Sequence, residues 1–578
     1  MARRGARPAV RLFALLAVMS VSLLAVAGRL VHLQVVKAEA FEDLGARQRV
    51  RRVELPAKRG TILDRNGVPL AMSIDAAALY ANPRFVTDPA GTAAAIAPIL
   101  GLEPALIQGR LQSSQPFVYL ARKVELAAAE RILALKLPGI GALDEIKRVY
   151  PAGSLAAQVV GFVGTDNVGL GGLEAGWEQL LAGVAGEEIM EQDPRGRPIA
   201  GGESKLRQPE RGQDLILTID RDIQFATEEA LERALAQTGA KNGTAIVLEP
   251  RTGDVLAMAN WPPLDPTAFT RASGELMRNR AVQDAYEPGS VNKVITAAAA
   301  LEAKLVEPSD VLRIPDRYRI ADKTFRDFEP HKVWNITYAD ALARSSNVGT
   351  IQVALRVGKS RLHTMLRRFG LGVKTGIGFP GESPGILLNA EDWYSTSIGT
   401  IPIGQGIAVT PLQVAQVYAT LANDGVLVPP RLVKATVDKE GRQIDRQERG
   451  ARRVVSPYTA AQIRAMLVGV VEDGTGRNAR IPGYLIGGKT GTARKPLADR
   501  RGYSRDVVTT FVGMVPADAP RFVIAVVLDT PDTHTSSATA APVFAEIARF
   551  VIARLKVPPA MMPGSGRVSF STLTAKRR

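Results

Sequence analysis

YEPGSVNKVITAAAALEA, residues 286–303, places a serine and a lysine three positions apart at the start of an apolar run. After Lys293 the run VITAAAALEA has apolar residues on every face, strong helix formers throughout and neither Gly nor Pro, which predicts a buried helix. Pro288 and Gly289 do not fit inside a helix, so it should begin near Ser290, where unpaired backbone N–H groups leave a partial positive charge. Positions i and i+3 are neighbours on a helix, which brings the Lys293 amine within reach of the Ser290 hydroxyl. On these residues alone, an N-cap serine beside a solvated lysine explains the pattern as well as a catalytic pair does.

Composition removes several alternatives. The 578 residues are too many for one ordinary domain and contain no cysteine, which excludes disulfides, thiolate catalysis and Cys-based metal sites. Four scattered histidines, His32, His331, His363 and His534, show no zinc-binding spacing, and a serine–histidine triad lacks its GxSxG elbow. The net charge of +16 fits an anionic membrane, an anionic polymer or nucleic acid as neighbour. The basic residues are nevertheless spread along the chain, and aromatics are only 5%, so nucleic acid is not expected as a partner.

At the N-terminus, Leu12 to Gly28 is an uncharged run of 17 residues, preceded by Arg3, Arg4, Arg7 and Arg11, and apolar character continues to Val36. A membrane anchor over 12–36, with residues 1–11 left in the cytoplasm and the body outside, is expected. A cleaved signal peptide, with Ala25-Val26-Ala27 at the cut, is the alternative; both readings export the body. Residues 37–58 are Arg-rich with helical spacing, as in a stalk. KRGTILDRNGVPLAMSID, from Lys58, alternates short apolar runs about an Asn66-Gly67 turn and predicts a β-hairpin. It opens a mostly β pedestal, so that stalk and pedestal together run over 37–205 and end in a linker, GGESKLRQPERGQ. From 211 to 555 strands and helices alternate: LILTID, a helix from Asp220, a hairpin over 244–260 and a closing hairpin and helix. The fold class is therefore α+β, a sheet flanked by helices, with a mobile tail at 556–578.

Two further stretches change the weight of the opening one. SSNVGT begins at Ser345, and GGKTGTARK carries Lys489. Ser-x-x-Lys, Ser-x-Asn and Lys-Thr-Gly, in that order and 55 and 144 residues apart, form the motif set of penicillin-binding proteins and serine β-lactamases. RGTILDRNGVPLA, RVYP with AAQVVGFVG, GLEAGWEQLLAG, DPRGRPI, MRNRAVQDAYEPGS and GQGIAVTPLQVAQVYATLANDG extend the match. On these residues nearly the whole chain, from about Leu12 to Leu555, resembles the class B penicillin-binding proteins, and is most similar to their cell-division members. Gln158 departs from a His that the family often carries in the pedestal, and puts a partner contact there in doubt.

The resemblance implies a serine β-lactamase-like transpeptidase fold and a peptidoglycan D,D-transpeptidase that needs no cofactor or metal. It implies Ser290 as nucleophile, Lys293 as its base, Ser345 as proton relay to the leaving nitrogen and Asn347 as holder of the substrate amide. Lys489, Thr490 and Thr492 would bind the terminal carboxylate. Gly491 would let an extended peptide lie close to the strand, and the N–H groups of Ser290 and Thr492 would receive the oxyanion. Implied partners are D-Ala-D-Ala stem peptides, β-lactams as inhibitors, the membrane, and a lipid-II-polymerising protein of the FtsW type with other division proteins. The implied place is the inner membrane at the septum. Alternatives are an elongation-type transpeptidase, a D,D-carboxypeptidase or β-lactamase, a non-catalytic division scaffold and a basic polymer binder.

Overall fold

The computed structural model describes residues 8–39, 41, 50–192, 199–200, 204–446, 450–497 and 502–559. The chain divides into two compact units, Met1–Ala57 with Val184–Glu210, and Lys58–Gly183 with Arg211–Arg578.

The first unit opens with helix α1 (Pro8–Val31), continued by a π-helical turn over His32–Val36. These 29 residues contain an 18-residue window of mean hydropathy 2.3 and are long and apolar enough to cross a bilayer. The helical spacing read in the stalk is overturned at its end, because Val50–Leu55 is a strand; residues 42–49 lie outside the described residues. That strand pairs antiparallel with Gly186–Glu191, which pairs with Ser204–Arg207. The segment read as a linker thus contains a strand: its alternating Ser-Lys-Leu-Arg satisfies backbone groups on a partner strand although all four side chains are exposed.

In the second unit, Ile62–Leu63 folds back on strand β1 (Pro69–Ala81) through the expected Asn66-Gly67 turn, with Gly67 at φ 85°. The Asp64 carboxylate accepts the N–H groups of Asn66 and Val68 and closes that turn. Strand β1 carries β2 (Val118–Val124) on one edge and β3 (Ile140–Val149) on the other. Helices Pro89–Leu100, Pro104–Leu111 and Leu126–Ala134 bury Ile96, Ile107 and Ile132 against Leu79 and Leu120. Beside this core the buried Glu174 binds both Arg59 (2.5 Å) and Arg148 (2.7 Å), and Arg59 also reaches Glu178 (2.6 Å). Three distant segments are tied by that cluster: the hairpin entry, the end of β3 and the short helix Gly172–Gly176.

The strand within LILTID, Asp214–Leu217, does not join the main sheet. It runs parallel to Ile62–Leu63 and antiparallel to Val433–Val437, extending the pedestal sheet. Helix α2 (Arg221–Thr238) follows, capped by the Asp220 carboxylate on the N–H groups of Asp222 and Ile223. The central sheet comprises β4 (Asn242–Leu248), β5 (Val255–Trp261), β6 (Gly487–Pro496), β7 (Tyr503–Val515) and β8 (Phe522–Asp529), all antiparallel, in the order β5-β4-β8-β7-β6. Side chains alternate across it: Phe511, Ile524 and Val526 meet α2 and the closing helix Ala540–Arg554, whereas Val512, Val523 and Ala525 face the helical insert. Both expected hairpins are present. Residues 556–559 are described, and the remainder of the expected tail lies outside the described residues.

Gln158 lies inside the second unit. It is buried, and its amide donates to Pro262 O at 2.9 Å, so the departure from His serves an internal contact rather than an exposed one.

Candidate active site

Ser290 lies in a 3-10 turn, Gly289–Asn292, that runs directly into helix α3 (Lys293–Glu302). The helix therefore starts where the sequence indicates, but Ser290 is inside the first turn and is not a cap. Close packing holds this turn. Gly289 has φ 59°, donates its N–H to Gly404 O at 3.0 Å, and leaves no room for a Cβ at Gly404, which would stand 2.1 Å from Gly289 O. Asn292 donates to Ile401 O, and Tyr418 donates to Val291 O. The partners come from the segment Ile401–Gly404 and from the helix Pro411–Ala422.

On the other side the turn abuts β6, the edge strand. A Cβ on Gly491 would meet Pro288 O and Val291 Cγ1, each at 2.9 Å. Glycine is thus required there for the Ser290 turn to approach the strand, a reason separate from any substrate's approach.

Lys293 is fully buried, and its amine donates to Ser345 O (2.5 Å), Ser345 Oγ (3.2 Å) and Asn347 Oδ1 (2.8 Å). Among the described residues no hydrogen bond joins it to Ser290; its partners come from the second motif. Burial lowers its pKa to about 7, and the attraction of Asp327 opposes that shift. Ser345 has φ 59°, unusual for a residue with a side chain, and the following Ser346 caps α4 (Asn347–Val357) on Gly349 N.

Lys489 is fully buried on β6, with its amine 3.3 Å from Thr490 O. Burial, then the nearby Lys293 charge, holds its pKa well below the usual lysine range. Two ammoniums in one dry pocket repel, so the pair favours fewer than two protons until an anion arrives. The Thr490 hydroxyl is shared with Thr475 (2.7 Å) and that of Thr492 with Ser536 (3.2 Å). Ser290, Ser345 and Asn347 are half-buried and Thr492 is exposed, whereas the two lysines are fully buried. All three motifs are brought together.

Thr475, Ser536 and Asp327 lie outside every motif, whereas Ser346 and Gly404 lie within matched stretches that do not show their structural roles. Asp327 accepts from Ser346 Oγ, from the N–H groups of Asn347 and Val348, and from His331 Nε2. The i, i+4 spacing of Asp327 to His331 was the available signal.

The chain matches the family model "Penicillin binding protein transpeptidase domain" over residues 243–549 and "Penicillin-binding Protein dimerisation domain" over residues 54–217. It is 39% identical to the penicillin-binding protein PbpB of Mycobacterium tuberculosis, over 95% of this chain and 85% of that one. It is 34% identical to the peptidoglycan D,D-transpeptidase FtsI of Escherichia coli, over 92% and 90%. The crystal structure of penicillin-binding protein 3 from M. tuberculosis complexed with aztreonam superposes with a TM-score of 0.71 at 35% identity, covering 88% of this chain and 98% of that one. With three motifs converging on one cleft and both domains matched, the chain belongs to the class B penicillin-binding transpeptidases, of the FtsI type.

Proposed function

We propose that this peptidoglycan D,D-transpeptidase cross-links stem peptides during septal wall synthesis through an acyl-enzyme on Ser290, and that β-lactams block it by acylating the same serine. The observation that carries the reading is the buried Lys293 amine, with a pKa near 7, three residues after Ser290 and held by the second motif. A serine hydroxyl attacks a carbonyl only as its proton is taken, and a lysine neutral in a large share of molecules at neutral pH can take it.

The steps follow from the groups present. The D-Ala-D-Ala carboxylate enters beside Lys489, Thr490 and Thr492, which favours the charged form of Lys489 and lowers its competition with Lys293 for a neutral state. Ser290 Oγ attacks the carbonyl between the two alanines while Lys293 accepts its proton; the oxyanion is received by the N–H groups of Ser290 and Thr492. Ser345, bonded to the Lys293 amine, passes the proton to the leaving nitrogen as the C–N bond breaks and the last alanine departs. An acceptor amine from a neighbouring stem then attacks the ester, Lys293 takes its proton and returns it to Ser290 Oγ as the ester C–O bond breaks, so that both Ser290 and the neutral Lys293 are restored. Asn347 holds the substrate amide throughout.

The apolar helix supports a single-pass anchor; the basic flank before it favours residues 1–11 in the cytoplasm and the body outside, and the likeness to cell-division relatives is the ground for a lipid-II polymerase of the FtsW type and other division proteins as partners. The cell-division name of the E. coli relative supports the septal role, and the aztreonam complex supports acylation by β-lactams. Depleting the protein and re-expressing either the wild type or Ser290→Ala tests both. Filaments with unpinched septa, rescued by wild type alone, are expected; round cells would move the protein to elongation, and rescue by Ser290→Ala would leave it a scaffold.

A further inference from the structure

Asn347 must present its carbonyl, not its amide nitrogen, to the Lys293 amine, and Ser345 must hold a left-handed backbone to place its own carbonyl there. Neither arrangement is intrinsic to Ser-x-Asn: a serine at positive φ is sterically disfavoured, and an amide can turn over. What fixes them is the segment Arg326–Trp334, which the reaction as described does not use.

Arg326 O accepts from Asn347 Nδ2 at 3.0 Å, which turns Oδ1 toward Lys293. Asp327, its side chain 4% exposed, receives four donors: Ser346 Oγ at 2.7 Å and His331 Nε2 at 3.1 Å on one oxygen, Asn347 N at 2.5 Å and Val348 N at 3.0 Å on the other. The two N–H groups are the first of α4, which no intrahelical carbonyl could satisfy. His331 is itself clamped, stacked on Trp334 at 3.6 Å and 12°, with Nδ1 against Lys332 O, while the Arg344 guanidinium lies 5.2 Å from the centre of the Trp334 ring.

We infer that Asp327 is a positioning residue for acylation: held by His331, its carboxylate locks the Ser345–Asn347 turn so that the turn grips the Lys293 amine in the orientation that takes the Ser290 proton. The inference rests on the acyl-enzyme reading above. Its charge also reaches the base, since the groups that act on Lys293 electrostatically are Lys489 from β6 and Asp327 from this segment, and Asp327 favours the ammonium.

The test uses purified protein and a chromogenic penicillin, separating the non-covalent binding constant from the acylation rate constant between pH 5.5 and 9. Wild type must first acylate at Ser290; failure there overturns the acyl-enzyme reading, not this one. Asp327→Asn keeps size but sets an NH₂ group against donors. Its acylation rate constant should fall about 10- to 100-fold with binding within about threefold, the signature of a misplaced reacting group. The acid limb should also move to lower pH, because the charge that favours the ammonium is gone. A purely structural role would move neither the midpoint nor the rate constant of the folded fraction. His331→Gln, which retains a donor, should stay within about threefold of wild type, whereas His331→Leu should fall below it. If Asp327→Asn does not fold, the His331 pair decides: equal rates for Leu, Gln and wild type overturn the inference. Asp327→Asn acylating within about twofold of wild type, at an unmoved midpoint, also overturns it.

Discussion

Replacing Lys293 by arginine keeps the positive charge and removes the base. At a pKa of about 7, roughly half the wild-type molecules carry a neutral Lys293 at pH 7. The sign follows: the neutral form is the active one, so acylation should rise about tenfold per pH unit below 7 and level off above it. Arginine in a protein stays protonated, with a pKa above about 12, so its neutral fraction near pH 7 is below about 10⁻⁵. The rate will not fall that far, because water can take the proton instead; the loss is bounded by what general-base catalysis supplies, about 10²- to 10⁴-fold. The guanidinium also brings five donors to a pocket whose acceptors are Ser345 O, Ser345 Oγ and Asn347 Oδ1, so some loss of stability is expected, on the order of 1–3 kcal/mol. The assay is the second-order acylation rate from pH 6 to 9 beside the melting temperature. A variant that melts as wild type and acylates within about threefold of it would refute Lys293 as the base. If Lys293→Arg is unfolded, Lys293→Ala takes its place in the same assay.

Four other outcomes are expected. Deleting residues 1–40 should leave a soluble protein that still reacts with penicillin, since every site residue lies in the second compact unit, but that no longer supports division; complementation checks this. Gly491→Ala should lower acylation and stability together, by about 1–3 kcal/mol in the latter, because its Cβ would strike Pro288 O and Val291; normal values for both would remove the close approach as the reason for glycine. Glu174→Ala, which leaves Arg59 and Arg148 buried without their shared carboxylate, should cost about 3–5 kcal/mol in denaturant unfolding, and a change below about 1 kcal/mol would contradict it. Lys293 binds fewer protons folded than unfolded between its lowered pKa and its ordinary value of 10.5, so stability should rise with pH over that window, and less steeply in Lys293→Met; equal slopes from melting curves would contradict the lowered pKa.

The three motifs were legible because catalysis demands particular atoms in a particular order, and the helix after Lys293 was legible because nothing in VITAAAALEA favours another structure. The three hairpins were legible from alternation and turn residues. What escaped had physical causes. Val50–Leu55 and Ser204–Arg207 are short, polar strands whose pairing is supplied by one another's neighbour, and no local pattern announces that. LILTID reads as a strand, but its sheet is chosen by Ile62–Leu63, about 150 residues away. Asp327 escaped because its importance lies in four donors from two segments, of which only the i, i+4 spacing to His331 is visible in the sequence. For Gln158 the sequence put only a partner contact in doubt, because its burial and its bond to Pro262 O cannot be seen in a glycine-rich stretch.

If Ser290, activated by a buried lysine, forms the acyl-enzyme, then folded protein reacted with penicillin and digested with trypsin carries the adduct on a single peptide that mass spectrometry can find. Cleavage after Arg280 and Lys293 isolates residues 281–293, AVQDAYEPGSVNK, in which Ser290 is the lone serine. One penicillin mass on that peptide, fragmenting at Ser290 and absent from Ser290→Ala, is predicted; an adduct on any other residue, or none on protein that is folded, would contradict it.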